Sequence, residues 1–203
     1  YLNEHKEQLY AVSAHTGATR ADSWIDIEGG SGTLSAYAGF GSNELPSGNL
    51  VHEGPAMPLG KTNRFAGSHI LVPRAGVAVH INAFNFPVWG LLEKFGPTFL
   101  AGMPCIGKPA TATSFLTEQL VRLINESSIL PEGALQLVIG GTGDLLDRLG
   151  VQDAVTFTGS ADLALAMAAP STLKVVGMAP VYMSSLNLAL NSSPHLPIWP
   201  PML

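Results

Sequence analysis

One cysteine, Cys105, stands in 203 residues. An internal disulfide is therefore impossible, and a lone thiol fits a reducing, cytoplasmic setting. Charge is sparse as well: Asp, Glu, Lys and Arg make up 12% of the chain, and the net charge is −5. The ten Lys and Arg residues are scattered and form no stripe, so a nucleic-acid partner is not expected. Long hydrophobic runs are missing. Glu93, Lys94 and several prolines interrupt the longest apolar stretch before the ~20 residues that a membrane span needs. No basic-then-apolar leader opens the chain, which begins at Tyr1 in what reads as a helix under way, so an upstream piece is expected. His5, His15, His52, His69, His80 and His195 show neither HxH nor HExxH spacing, and with one cysteine for company they imply no metal site.

What is present is apolar. Hydrophobic residues make up 46% of the sequence, enough for a sizeable core in one domain or a large part of one. Residues 81–110 organise the chain. The run Val77-Ala78-Val79-His80-Ile81 has the length and β-branching of a buried strand. A polar-aromatic turn, Asn82-Ala83-Phe84-Asn85-Phe86, closes at Pro87, a residue suited to the first turn of a helix. Val88, Leu91, Leu92, Phe95 and Phe99 then recur at helical spacing, and a second short strand is expected over 103–106.

Around this unit, Leu2, Leu9 and Val12 mark a helix over 1–16, ending near Gly17. A second helix is expected over 22–39 despite Gly29, Gly30 and Gly32. Each glycine costs about 1 kcal/mol against alanine in a helix interior, so three together imply close packing against another element. Residues 40–64 read as loop. Strands follow over 68–73 and 76–81, the first expected outside the main sheet. Thr113 or Ser114 can cap a helix in which Leu116, Leu120, Leu123 and Ile124 share a face. A strand over 135–139, a glycine turn over 140–143, a short helix marked by Leu145, Leu146 and Leu149, and a strand over 154–158 complete the alternation. Gly159 and Ser160 open a last helix to about 168. Four strands separated by helical patterns mean an α/β fold, a doubly wound parallel sheet of Rossmann-like type with right-handed crossovers. The tail over 169–203 differs: it holds one charged residue, Lys174, six prolines and little periodicity.

Several residues can carry chemistry. Asn85 lies at a strand exit beside a helix start, where a side-chain amide can donate to a developing oxyanion; its commoner role at such a place is to cap the helix. Lys108 leaves a buried strand and can reach a ribose hydroxyl or a phosphate, or stand as a solvated charge. Gly159-Ser160 falls between strand and helix, a position suited either to a phosphate or to an ordinary cap. Gly141-Thr142-Gly143 resembles the start of a dinucleotide fingerprint, but Leu146 stands where the third glycine belongs, and Asp162 falls inside a helix. Cys105 reads as an inert core thiol. Ser31 lacks the closing glycine of a nucleophile elbow, so a serine triad is poorly supported.

Three motifs in order are recognisable: Asn82-Ala83-Phe84-Asn85-Phe86-Pro87, Lys108-Pro109-Ala110 and Phe157-Thr158-Gly159-Ser160. At these separations they resemble the aldehyde dehydrogenase superfamily over residues 1–167. The runs Thr16-Gly17-Ala18-Thr19-Arg20-Ala21-Asp22-Ser23-Trp24 and 82–89 resemble the branch that oxidises CoA-thioester semialdehydes in aerobic benzoyl-CoA and phenylacetyl-CoA breakdown. The resemblance implies a partial NAD(P)-binding domain over 1–168 followed by an atypical tail. Asn85 matches the asparagine that helps form the oxyanion hole, and Lys108 the lysine at the adenosine ribose. Gly159 and Ser160 match the pair at the cofactor pyrophosphate, with Phe157 just before them. Gly140 and Gly143 lie in the loop that passes the adenine, and Ile81, Phe84, Ala110 and Thr111 fall among the cofactor-contact positions. Many NAD-preferring members carry a glutamate where Thr111 stands, so NADP is expected, with NAD possible. Homodimers or homotetramers are usual in the superfamily.

The departures are equally specific. The superfamily's nucleophilic cysteine belongs to a later catalytic domain, and Cys105 does not match it. Where the general-base glutamate is expected, the sequence reads Val181-Tyr182-Met183-Ser184-Ser185-Leu186-Asn187. Two readings follow. The chain is the cofactor half of an aldehyde dehydrogenase, inactive alone, or it is a non-catalytic nucleotide-binding or interaction module on the same fold.

Overall fold

The computed structural model describes residues 1–62 and 64–160. The expectations for the helix to about 168, the tail over 169–203 and residues 181–187 lie outside the described residues. The chain opens with helix α1 (Lys6–Ser13), followed by a single 3-10 turn over Ala14–Thr16 that ends at Gly17 in the left-handed conformation, φ 84°. Thr19 then starts α2 (Arg20–Glu44) with a capping box: Asp22 N–H donates to Thr19 Oγ1 at 3.2 Å, and Thr19 N–H donates to the Asp22 carboxylate at 3.1 Å.

The loop expected over 40–64 is not what forms. Helix α2 runs on to Glu44, and residues 51–58 are a strand, β1 (Val51–Pro58), antiparallel to β2 (Ala66–Leu71) in a two-stranded ribbon. Nearly every ribbon residue is exposed, so no alternation of apolar and polar residues marks it in the sequence. The expectation that the strand near residue 68 lies outside the main sheet holds.

The main sheet is parallel and follows the expected alternation. Its strands are β3 (Ala78–Ile81), β4 (Cys105–Lys108), β5 (Leu135–Leu137) and β6 (Ala154–Phe157), in the order β5-β4-β3-β6. Helix α3 (Trp89–Leu100) joins β3 to β4, and α4 (Ser114–Glu126) joins β4 to β5. The chain then crosses to the far side of β3 to make β6, with a single 3-10 turn over Leu146–Arg148 on the way where a short helix was expected. Strand β4 begins two residues later than its apolar run, and β5 ends two residues earlier. One face of the sheet packs Ala78, Cys105 and Leu135 against Leu9, Ile27, Leu91, Phe95, Leu116 and Leu120 of the helices. The other packs Val79, Val155 and Phe157 against Leu145, Leu146 and Leu149. Covered faces of this kind are what a parallel sheet requires.

The glycines of α2 explain how α2 and α3 meet. A Cβ on Gly30 would lie 2.9 Å from the Trp89 Cα, and one on Gly29 would lie 3.1 Å from the Trp89 ring. Across the same contact, a Cβ on Gly96 would lie 2.7 Å from the Tyr37 ring. Gly32 differs: it is exposed and faces open space. Gly30→Ala therefore forces backbone apart and should destabilise by about 1–3 kcal/mol. Gly32→Ala meets nothing and should stabilise by about 0.5–1 kcal/mol through the unfolded chain. Urea unfolding of the two variants side by side checks the pair.

Candidate functional site

The exits of four parallel strands form one level edge. Beyond the last paired residues, Val138 N–H donates to Gly107 O at 2.9 Å, Asn82 N–H to Lys108 O at 3.0 Å, and Thr158 N–H to Ile81 O at 2.9 Å. The winding reverses at β3, which lies between β4 and β6. In open α/β sheets ligands bind outside the carboxyl ends of the strands at such a reversal. The segments leaving β3, β4 and β6, residues 82–88, 108–113 and 158–160, contain no Asp or Glu. Lys108 is the cation among them, and its ammonium donates to Pro109 O at 2.8 Å at the strand exit. The edge therefore fits an anionic ligand.

The turn after β3 carries Asn85. The structure does not use this residue as the cap of α3: no side chain of the turn caps the helix, and the Asn85 side chain is exposed without a partner among the described residues. The cap comes from α2. Val88 N–H donates to both Asp26 carboxylate oxygens at 3.1 and 3.2 Å, and Trp89 N–H donates to Asp26 Oδ1 at 2.8 Å. Asp26 reaches them because Gly30, one turn later on the same face, lets the two backbones close. Two threonines hold the carbonyls of the turn: Thr113 Oγ1 donates to Phe84 O at 3.0 Å, and Thr117 Oγ1 donates to Pro87 O at 2.9 Å. Thr113 and Ser114, read as caps of α4, make no such bond; the Ser114 hydroxyl donates to Thr111 O.

Under the turn lies a row of buried polar side chains. Lys94, 2% exposed, donates to Asn82 Oδ1 at 2.8 Å, to Gly90 O at 2.9 Å and to Glu93 at 3.3 Å. A lysine has only donors, so it fixes the Asn82 amide with its oxygen inward and leaves the buried Nδ2 without a partner among the described residues. Burial lowers the Lys94 pKa, and Glu93 opposes that shift. His80 bonds Thr156 at 2.7 Å through Nδ1 and Thr98 at 3.1 Å through Nε2. Burial and the Lys94 charge push its pKa down to about 4, so the ring is neutral. Asp26, Lys94 and Thr117 carried no site reading in the sequence, where Thr113 was read only as a helix cap and Asn82 only as part of the turn motif. The available signal was a charged residue on an apolar helical face: Asp26 beside Ile27 and Gly30, and Lys94 between Leu91 and Phe95.

The remaining candidates fall around the edge. Ile81 closes β3 and Phe84 is 65% exposed in the turn. Ala110 and Thr111 follow Lys108 into a 3-10 turn, with Thr111 exposed. Phe157 is buried at the end of β6, and Gly159 and Ser160 are exposed beyond it. A Cβ on Gly159 would lie 2.5 Å from the tip of the Phe157 ring, so a larger residue there would have to displace that ring. Gly140 and Gly143 adopt left-handed φ values of 94° and 53° in the loop after β5, away from the β3–β6 reversal. Cys105 is fully buried in the core, where desolvation pushes its thiol up to about 12. It is inert, as expected.

A family model described as the aldehyde dehydrogenase family matches residues 1–179. This chain belongs to the aldehyde dehydrogenase family. It is 48% identical over 167 residues to 3,4-dehydroadipyl-CoA semialdehyde dehydrogenase of Aromatoleum evansii, a match covering 82% of this chain and 32% of that protein. It is 30% identical over 162 residues to 3-sulfolactaldehyde dehydrogenase of Priestia megaterium, covering 78% of this chain and 32% of that one. Among solved structures, betaine aldehyde dehydrogenase of Staphylococcus aureus, a point mutant with NAD+, superposes with a TM-score of 0.70 at 21% identity, covering 87% of this chain and 34% of that chain. NADP-dependent glyceraldehyde-3-phosphate dehydrogenase of Bacillus halodurans, complexed with NADP, gives 0.68 at 23% identity, covering 87% and 37%. These likenesses show the aldehyde dehydrogenase fold. The chain spans about a third of the length of each of these proteins.

The buried Asp26 makes a pH signature. Desolvation raises its pKa from 3.8 to about 6, and the Trp89 and Val88 amides pull it back in part. A carboxyl raised in the folded state contributes stability that is complete below its unfolded value and is lost as pH rises through about 6. Asp26→Asn, whose oxygen can still accept from both amides, should flatten that loss between pH 4 and pH 7. Asp26→Ala, which orphans both amides, should cost about 1–3 kcal/mol across the range. Urea unfolding at pH 4, 5, 6 and 7.5 reads both effects.

Proposed function

We propose that this chain supplies the dinucleotide-binding part of an NAD(P)-dependent aldehyde dehydrogenase that acts on a CoA-thioester semialdehyde. The observation that carries the proposal is the level strand edge, which brings Lys108, Gly159, Ser160 and the Asn85 turn to one end of the sheet with no acidic residue on the segments leaving β3, β4 and β6. The semialdehyde class is supported by the 48% identity to a protein with that printed activity.

Lys108 would hold the adenosine ribose, and Gly159 with Ser160 the pyrophosphate, where the Phe157 ring lies close against Gly159. Ile81, Phe84 and Ala110 would line the path, and the left-handed glycines Gly140 and Gly143 would shape the loop near the adenine. The bound cofactor would supply the hydride acceptor. Asn85, released from capping by Asp26, would donate its amide to the oxyanion of the reacting aldehyde. Thr111 brings no carboxylate against a ribose 2′-phosphate, which favours NADP. The exposed apolar side chains of the ribbon, Met57, Ile70 and Leu71, support assembly through that ribbon into a homo-oligomer.

Cys105 cannot serve as the nucleophile from inside the core, so the 203 residues alone should turn over no aldehyde. Calorimetry on the chain should show NADP binding, weakened about tenfold or more by Lys108→Ala and by Ser160→Ala, as expected for losing a hydrogen bond to a charged group. Absence of binding by a folded chain would refute the half-site. NAD binding tenfold tighter than NADP would refute the cofactor preference.

A further inference from the structure

We infer that Asp26, Thr113 and Thr117 form a clamp that positions the Asn85 side-chain amide. The inference rests on the proposed role of Asn85. Among the described residues, most bonds between a side chain and the backbone join residues within four positions of each other. The turn after β3 is held differently, by residues 29 to 63 positions away on two separate helical segments.

The peptide planes show what is held. Thr113 fixes Phe84 O, and with it the plane that contains the Asn85 N–H. Gly90 N–H fixes Phe86 O at 2.9 Å, the plane that enters Pro87. Thr117 and Asp26 grip the two ends of the next plane, Pro87 O and Val88 N–H, and Asp26 takes the Trp89 N–H beyond it. One peptide unit, between Asn85 and Phe86, is left between pinned neighbours. The Phe86 ring meets the Trp89 ring edge-on at 5.7 Å, which fixes that unit from its far side.

The burial pattern separates a positioning device from ordinary core packing. Thr117 is 0% exposed, Asp26 3% and Thr113 7%, yet all three spend their side-chain oxygens on a turn whose Phe84, Asn85 and Phe86 face outward. Buried polar groups need partners, and here the partners are the backbone of an exposed turn. A backbone held this way fixes the point and direction from which the Asn85 side chain projects, so its amide has less to reorganise when a charge develops.

Amide hydrogen exchange and side-chain carboxamide signals of the 15N-labelled full chain test the clamp, in Thr113→Val, Thr117→Val, Asp26→Asn and Asp26→Leu. Each Val variant keeps the shape and removes only the hydroxyl. The clamp predicts exchange at least tenfold faster at Val88 and Trp89, the turn amides that hydrogen bonds protect, with the Asn85 carboxamide signals shifted and the α4 amides of Leu120 and Leu123 unchanged. Asp26→Asn should restore most of the protection that Asp26→Leu removes at Val88 and Trp89. Exchange within twofold of the unsubstituted chain at the turn would overturn the inference. So would a loss spread evenly through α3 and α4, the mark of threonines that serve only the core. NADP titration of the same samples reads the proposed function separately. A chain that responds to the clamp variants but binds no dinucleotide would sink that function and leave the clamp standing.

Discussion

The contact between α2 and the start of α3 governs the rest of this structure. Val88 and Trp89 begin a helix directly above the sheet edge, and a helix start exposes backbone amides that need acceptors. The preceding turn offers them no side-chain acceptor, because Asn85 faces outward and Pro87 carries no polar side-chain atom. A carboxylate 62 residues away does the work instead. That solution depends on glycine: with any side chain at position 30 the two backbones could not approach, and Asp26 would fall short of the amides. The glycine-rich text of α2, poor as a helix by propensity, is thus what allows Asn85 to remain free.

Beneath this contact the interior is unusually polar for the space between a helix and a parallel sheet. His80, Thr98 and Thr156 satisfy one another, and Lys94 is held by Asn82, Gly90 and Glu93. Desolvation is the leading cause of the shift at Asp26, His80 and Lys94, moving the acid up and both bases down. Each is moved toward its uncharged form, as burial demands. Burial keeps His80 neutral, and Asp26 is held by the Val88 and Trp89 amides, with no cation bonded to it among the described residues.

Much of the fold was legible because its signals are local. The run ending at Ile81, the apolar stripe of α4 and the turn glycines before β6 each announce themselves within a few residues. The ribbon strand Val51–Pro58 escaped for the opposite reason: with nearly every side chain exposed, and with Gly54, Pro55 and Pro58 inside it, it carries no periodic pattern and reads as loop. The packing role of Gly29 and Gly30 was readable from their cost, but nothing nearby distinguishes them from the open Gly32. In the site, Lys108, Gly159 and Ser160 could be found from motif and strand position. The Asp26, Thr113 and Thr117 contacts could not, since capping rules look a few residues ahead and these bonds join segments far apart in sequence.

The proposed function depends on the edge where β3, β4 and β6 end being one binding surface. Chemical-shift mapping of the 15N-labelled chain on adding NADP+ tests it most directly. The account predicts that the perturbed amides gather at residues 82–85, 108–111 and 157–160, with the β1–β2 ribbon silent. Shifts centred on the ribbon or on residues 130–137 around β5 would contradict it.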